Sequence, residues 1–205
     1  MKKLTIYALA LSGLLIGANL TSCESKKTDD AEHAHTDLSD TKGDSKDMAK
    51  EANNEKFDDS DIKKDAKFAV NAADGGMMEV EAGKLAQTKG SSKIVKDFGK
   101  HLEMDHSKAN EELKAIALSK TIALPEALSE KNQKKIDKLN EKSGHDFDKE
   151  FIDLMVSDHK DDIDLFEKEA DKGNDPEVKA FASSKLPTLK HHLQMAEEAK
   201  DALKK

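Results

Sequence analysis

The sequence has no arginine and no tryptophan, one tyrosine (Tyr7), three prolines and a single cysteine, Cys23. Each absence excludes something. With no arginine, and 42 acidic residues against 34 lysines, the chain lacks the clustered cations that hold phosphate backbones. Nucleic acid is therefore not an expected partner. With no Trp, and its one Tyr close to the N-terminus, it also lacks aromatic platforms for sugars or bases. A lone cysteine allows no intramolecular disulfide, so the fold must stand on its core.

What is present begins at the N-terminus. Lys2 and Lys3 precede a short, mostly apolar run over 4–16. A membrane-spanning helix needs about 20 apolar residues, so this pattern is that of a cleavable signal over 1–22. It ends in Leu20-Thr21-Ser22-Cys23, which resembles a bacterial lipobox. In that motif the cysteine becomes the first mature residue and carries lipid. Two or more acyl chains, palmitate among them, hold a protein stably at a membrane. The resemblance implies an envelope lipoprotein with the membrane as partner through Cys23. Glu24, rather than Asp, follows the cysteine and favours the outer over the inner membrane. The remaining chain carries 32 lysines against 42 acids.

Residues 23–60 are almost all charged, polar or Ala, a composition that cannot bury enough surface to offset its ordering entropy. A disordered tether is expected there, with His33 and His35 as solvated residues. From residue 61 the pattern is helical. Long helices are expected over 61–88, from Ser91 to about 117, over 147–172 with Asp146 as cap, and from Pro176 to the C-terminus. Asp175-Pro176 is a strong start signal, and Pro187 a place for a kink. A short helix over 130–142, capped by Ser129 and closed by Gly144, falls between the second and third long ones. The expected fold is an all-α bundle of four long helices and one short one, over 61–205.

The second and third long helices align without gaps at an offset of 53 residues, matching Asp105-His106 to Asp158-His159 and Leu113 to Phe166. This suggests two similar helical hairpins. Apolar stripes place His106 and His159 toward the interior, and His192 falls on a similar stripe of the last helix. The first helix offers Glu79 and Glu81. Inward carboxylates and imidazoles from several helices are how ferritin-like bundles bind iron or manganese. A di-metal site wants Glu-x-x-His twice. Glu103 and His106 supply one, but Val156 stands where the second glutamate would be. The residues left are those of a mononuclear site built from Glu79, His106, His159 and His192. Glu81, Glu103, Asp105 and Asp158 are further ligands or orienting groups, and the ion would be iron, manganese, copper or zinc. The same residues also fit a buried His–Asp network that only fixes helix register. His101, His145 and His191 read as solvent-facing.

The stretches Gly75-Gly76-Met77-Met78-Glu79-Val80-Glu81, Asp105-His106-Ser107-Lys108-Ala109-Asn110 and Met155-Val156-Ser157-Asp158-His159 resemble the DUF4142 family, over about residues 62–200. The same holds for Phe68-Ala69, Leu124-Pro125, and Leu186-Pro187 with His192-Leu193. The resemblance implies a ferritin-like bundle and an envelope location, and it brings no established activity. Two functions are expected for the chain as a whole. One is a non-enzymatic lipoprotein that binds a transition metal or small partner, in stress protection. The other is a structural or protein-interaction module without metal. A metal-using oxidase is disfavoured by the missing second Glu-x-x-His.

Overall fold

The computed structural model describes residues 43–58 and 62–204. The signal, Cys23 and the first part of the expected tether lie outside the described residues. The described residues are all-helical: α1 (Ser45–Lys56), α2 (Ile62–Lys89), α3 (Lys93–Ser119), α4 (Glu130–Asn140), α5 (Gly144–Lys172) and α6 (Pro176–Ala202). Among them there is no strand, only one isolated bridge between Gly90 and Gly144. None of these helices is long and apolar enough to cross a membrane.

The most extensive packing is within two hairpins, α2 with α3 and α5 with α6. In the first, two glycines let the backbones touch. A Cβ built on Gly83 would lie 2.6 Å from the Gly99 carbonyl oxygen, and one on Gly99 2.7 Å from that of Gly83. The core falls into two apolar clusters. One contains Met78, Phe98, Leu102, Phe151 and Met155. The other contains Phe68, Leu113, Phe166, Phe181 and Leu189. Residues 106, 159 and 192 come between them in helix order, and Glu79 follows Met78 at the edge of the first, so a polar layer separates the two.

The hairpins are latched to each other at their turns. Asp65 of α2 accepts from the backbone N–H groups of Asn174 (3.1 Å) and Asp175 (2.6 Å), in the turn between α5 and α6. Asp148 of α5 accepts from Ser91 N–H (3.0 Å) and Ser92 N–H (2.9 Å), in the turn between α2 and α3. Donors and acceptors of the two latches are related by one interval of 83 residues. The internal repeat of the structure therefore pairs α2 with α5 and α3 with α6. The offset of 53 compares α3 with α5 instead, which share the Asp-His pair but hold different places in their hairpins.

Several local expectations change. The charged stretch expected to be tether up to residue 60 is helical over Ser45–Lys56, so there are two short helices and not one. Its N-cap, Asp44, accepts from Lys46 N–H and Asp47 N–H. Polar bonds do most of the docking of α1. Asn53 makes a reciprocal pair with the backbone of Ala123, both bonds 2.8 Å, and Lys46 Nζ lies 2.9 Å from Asp74. Hydropathy cannot register such an attachment. Gly144 opens α5 rather than closing α4; its φ of +59° suits glycine at that junction. Asp146 sits in the first turn of α5, not at its cap. The N-cap of α3 is Ser92, because Ser91 is engaged by Asp148. Ser129 and Asp175 cap α4 and α6 as expected, and α6 continues through Pro187.

Candidate metal centre

Three histidines from three helices meet in the polar layer: His106 of α3, His159 of α5 and His192 of α6. Their ring centroids are 5.3–5.6 Å apart. His159 and His192 are fully buried and His106 nearly so. Phe98 closes the apolar side, its ring centroid 6.3 Å from His159 and 6.1 Å from His192.

One nitrogen of each ring is engaged. His106 Nδ1 lies 2.8 Å from Glu79 Oε2. His159 Nδ1 lies 3.1 Å from the Met155 carbonyl, which can only accept, so this nitrogen carries the proton. His192 Nε2 lies 3.0 Å from Asp105 Oδ2. The other nitrogens, His106 Nε2, His159 Nε2 and His192 Nδ1, are buried and have no hydrogen-bond partner. One ring nitrogen of each histidine lies within 4.8 Å of one of each other ring. Burial pushes His106 and His192 down to about 4, and burial followed by the other two rings pushes His159 well below its usual value. The rings are therefore neutral at neutral pH, and His159 Nε2 is a buried lone pair with nothing donating to it.

Beside the rings stands a carboxylate group: Glu79 of α2 with Asp158 and Asp162 of α5. Asp158 is paired with Lys135 of α4 at 2.6 Å. Burial first, then Asp158, holds Glu79 well above the usual carboxylate range. Asp162 is raised by burial and then by Glu79. A cavity of about 150 Å³ leads from the surface to Glu79 and Asp162. Glu79, Asp105, His106 and Asp162 are among its polar lining, with Phe166 and Phe181 among its apolar walls.

Glu79, His106, His159 and His192 are thus brought together, with Asp105 and Asp158 at their edge. Glu81 and Glu103 are not. Glu81 pairs with Lys84 at 2.7 Å, and Glu103 accepts from Gln87 at 2.6 Å. Residues 79 and 81 point about 200° apart around a helix, so α2 can aim only one of them inward. Asp162 stands outside the expected set, because a Glu-x-x-His motif puts the carboxylate three residues before the histidine and this one lies three residues after His159. The signal that finds it is the 83-residue interval, which pairs Asp162 with Glu79. His101, His145 and His191 are exposed, as expected.

A chain with this arrangement finds no match among curated proteins or among solved structures. A family model does match, that of the Domain of unknown function (DUF4142), over residues 46–199. The match begins inside α1, earlier than the resemblance at residue 62, ends inside α6, and takes in all of α2 to α5 and every residue of the polar layer. The chain therefore belongs to the DUF4142 family.

Proposed function

We propose that this protein is a non-enzymatic binder of one transition-metal ion, held by His106, His159 and His192 in a ferritin-like four-helix bundle formed by α2, α3, α5 and α6. The observation that carries the reading is the set of three buried ring nitrogens without partners, one per ring, beside three nitrogens that all have partners. Metal-bound histidines characteristically present one nitrogen to the ion and fix the ring through the other. Glu79, the Met155 carbonyl and Asp105 occupy that second role here. An all-imidazole set suits zinc, copper or iron better than the harder manganese ion. Three protein ligands leave a further position for water or a small molecule.

A metal-free network that only fixes helix register is the second reading, and the three engaged nitrogens favour it. Against it stands the cost of burying unmade hydrogen bonds, on the order of 1–3 kcal/mol for each group. Leu or Phe would fill those positions without that penalty. Metal content of the purified protein, wild type beside His106→Ala/His159→Ala, separates the readings. One equivalent of zinc, copper or iron in the wild type and none of these in the variant is expected. Equal metal in both would leave only the network.

The location belongs to the same proposal. A lipid on Cys23 would hold the bundle in the bacterial envelope, with the outer membrane favoured, and stress protection is a role that a metal binder there would serve. Labelling with a palmitate analogue should mark the wild type and not Cys23→Ser. Labelling of both would remove the anchor.

A further inference from the structure

The three carboxylates beside the histidines have no part in the engaged nitrogens except through Glu79 Oε2. We infer that Glu79, Asp158 and Asp162 form a second cation subsite, of oxygen-donor chemistry, that takes a hard divalent ion reached through the cavity between α2, α3, α5 and α6.

Three observations carry it. A carboxylate oxygen of each residue lies within 4.8 Å of one of the others, on two facing helices. Glu79 is only 1% exposed; its carboxyl hydrogen-bonds that of Asp162, a shared proton that a cation would displace, and no donor reaches its Oε1, with His159 Nδ1 3.4 Å away. The cavity reaches Glu79 and Asp162 from solvent, so a cation has a path inward and room for waters to complete its shell.

Charge points the same way. Three carboxylates set against the one ammonium of Lys135, on Asp158 Oδ1, leave two negative charges when all are ionised, the complement of a divalent ion. The donor chemistry differs from that of the neighbouring imidazoles. Carboxylate and water suit magnesium, calcium and manganese, whereas imidazole suits zinc and copper. The polar layer is thus two sites of different hardness side by side, with Glu79 orienting His106 through one oxygen and offering the other to the second ion. The subsite does not depend on the histidines being loaded.

Manganese(II) titration of the zinc-saturated full chain, followed by loss of the free-ion electron paramagnetic resonance signal, tests it. Wild type is expected to take up one equivalent of manganese. Asp162→Asn should weaken that uptake at least about tenfold and leave zinc stoichiometry unchanged, because the engaged ring nitrogens are held by Glu79, the Met155 carbonyl and Asp105. Lys135→Met, which frees the charge of Asp158, should tighten it several-fold, a gain that misfolding cannot imitate. His192→Gln should lose zinc and keep manganese, which separates failure of the imidazole site from failure of this one. The inference is overturned if wild type binds no manganese, if Asp162→Asn and Lys135→Met both leave uptake unchanged, or if His192→Gln abolishes it.

Discussion

Asp74 and Glu79 lie five residues apart on α2, both almost completely buried, and the protein treats them in opposite ways. Asp74 accepts from the backbone N–H and hydroxyl of Ser129, from Asn132 Nδ2 and from Lys46 Nζ, all at 2.8–2.9 Å. Glu79 has a ring nitrogen at 2.8 Å on one oxygen, a hydrogen bond with the Asp162 carboxyl, and no donor on its Oε1. Asp65 and Asp148 resemble Asp74: each is spent on backbone N–H groups of a turn. A buried charge with its bonds complete is architecture. A buried group with bonds left open, surrounded by others in the same condition, costs stability that packing alone does not recover. The proposed metal centre rests on that difference.

The comparison breaks most visibly at Asp74. Asp74→Ala should cost about 3–5 kcal/mol, because Ser129, Asn132 and Lys46 lose a shared acceptor in the interior; urea unfolding measures it. The polar layer should behave otherwise. Without metal, His159→Leu should stay within about 1 kcal/mol of wild type, since it removes an unmade hydrogen bond along with a made one. With zinc at a hundredfold excess over its Kd, wild type should gain about 2.7 kcal/mol and the variant nothing. A loss of several kcal/mol in metal-free His159→Leu would put that residue in the class of Asp74.

Glu169 sharpens the contrast through pH. Burial, and then Asp65 beside it, raise its carboxyl from 4.5 to about 7. The folded chain therefore holds a proton that the unfolded chain releases near pH 4.5. Stability from this group is full below pH 4.5 and is lost as pH rises to about 7. Glu169→Gln has no proton to lose, so its stability relative to wild type should improve by roughly 1–2 kcal/mol between pH 4 and pH 8. Thermal melts across that range would show it, and parallel curves for the two proteins would contradict the assignment. The smallest effect belongs to the surface. Glu81→Gln, which loosens an exposed pair with Lys84, should change stability by less than about 0.5 kcal/mol and leave bound metal unaltered.

The long helices were legible because Phe98, Leu102, Phe151 and Met155 recur at helical spacing, and because Asp175-Pro176 and Ser129 are local signals. His106, His159 and His192 were legible as polar residues on apolar stripes. What was not legible depends on contacts distant in sequence. α1 is held by Asn53 against Ala123 and by Lys46 against Asp74, pairs that no hydropathy pattern reveals. Ser91 looks like a cap until Asp148, far along the chain, claims its backbone N–H and hydroxyl. The choice between Glu79 and Glu81 needed the facing helix, since both suit carboxylate chemistry. The 83-residue interval is present in the sequence, yet it rests on a few polar positions that only the paired latches make recognisable.

Those latches bear on how the chain folds. The turn of each hairpin takes part of its hydrogen bonding from an aspartate in the other hairpin, so neither turn is complete in a half-molecule. A hairpin formed alone would leave backbone N–H groups without their acceptor and one aspartate without its donors. The two halves gain these bonds together, when they dock, and lose them together. That exchange ties two local structures into one cooperative transition, in a chain whose single cysteine can supply no covalent link between them.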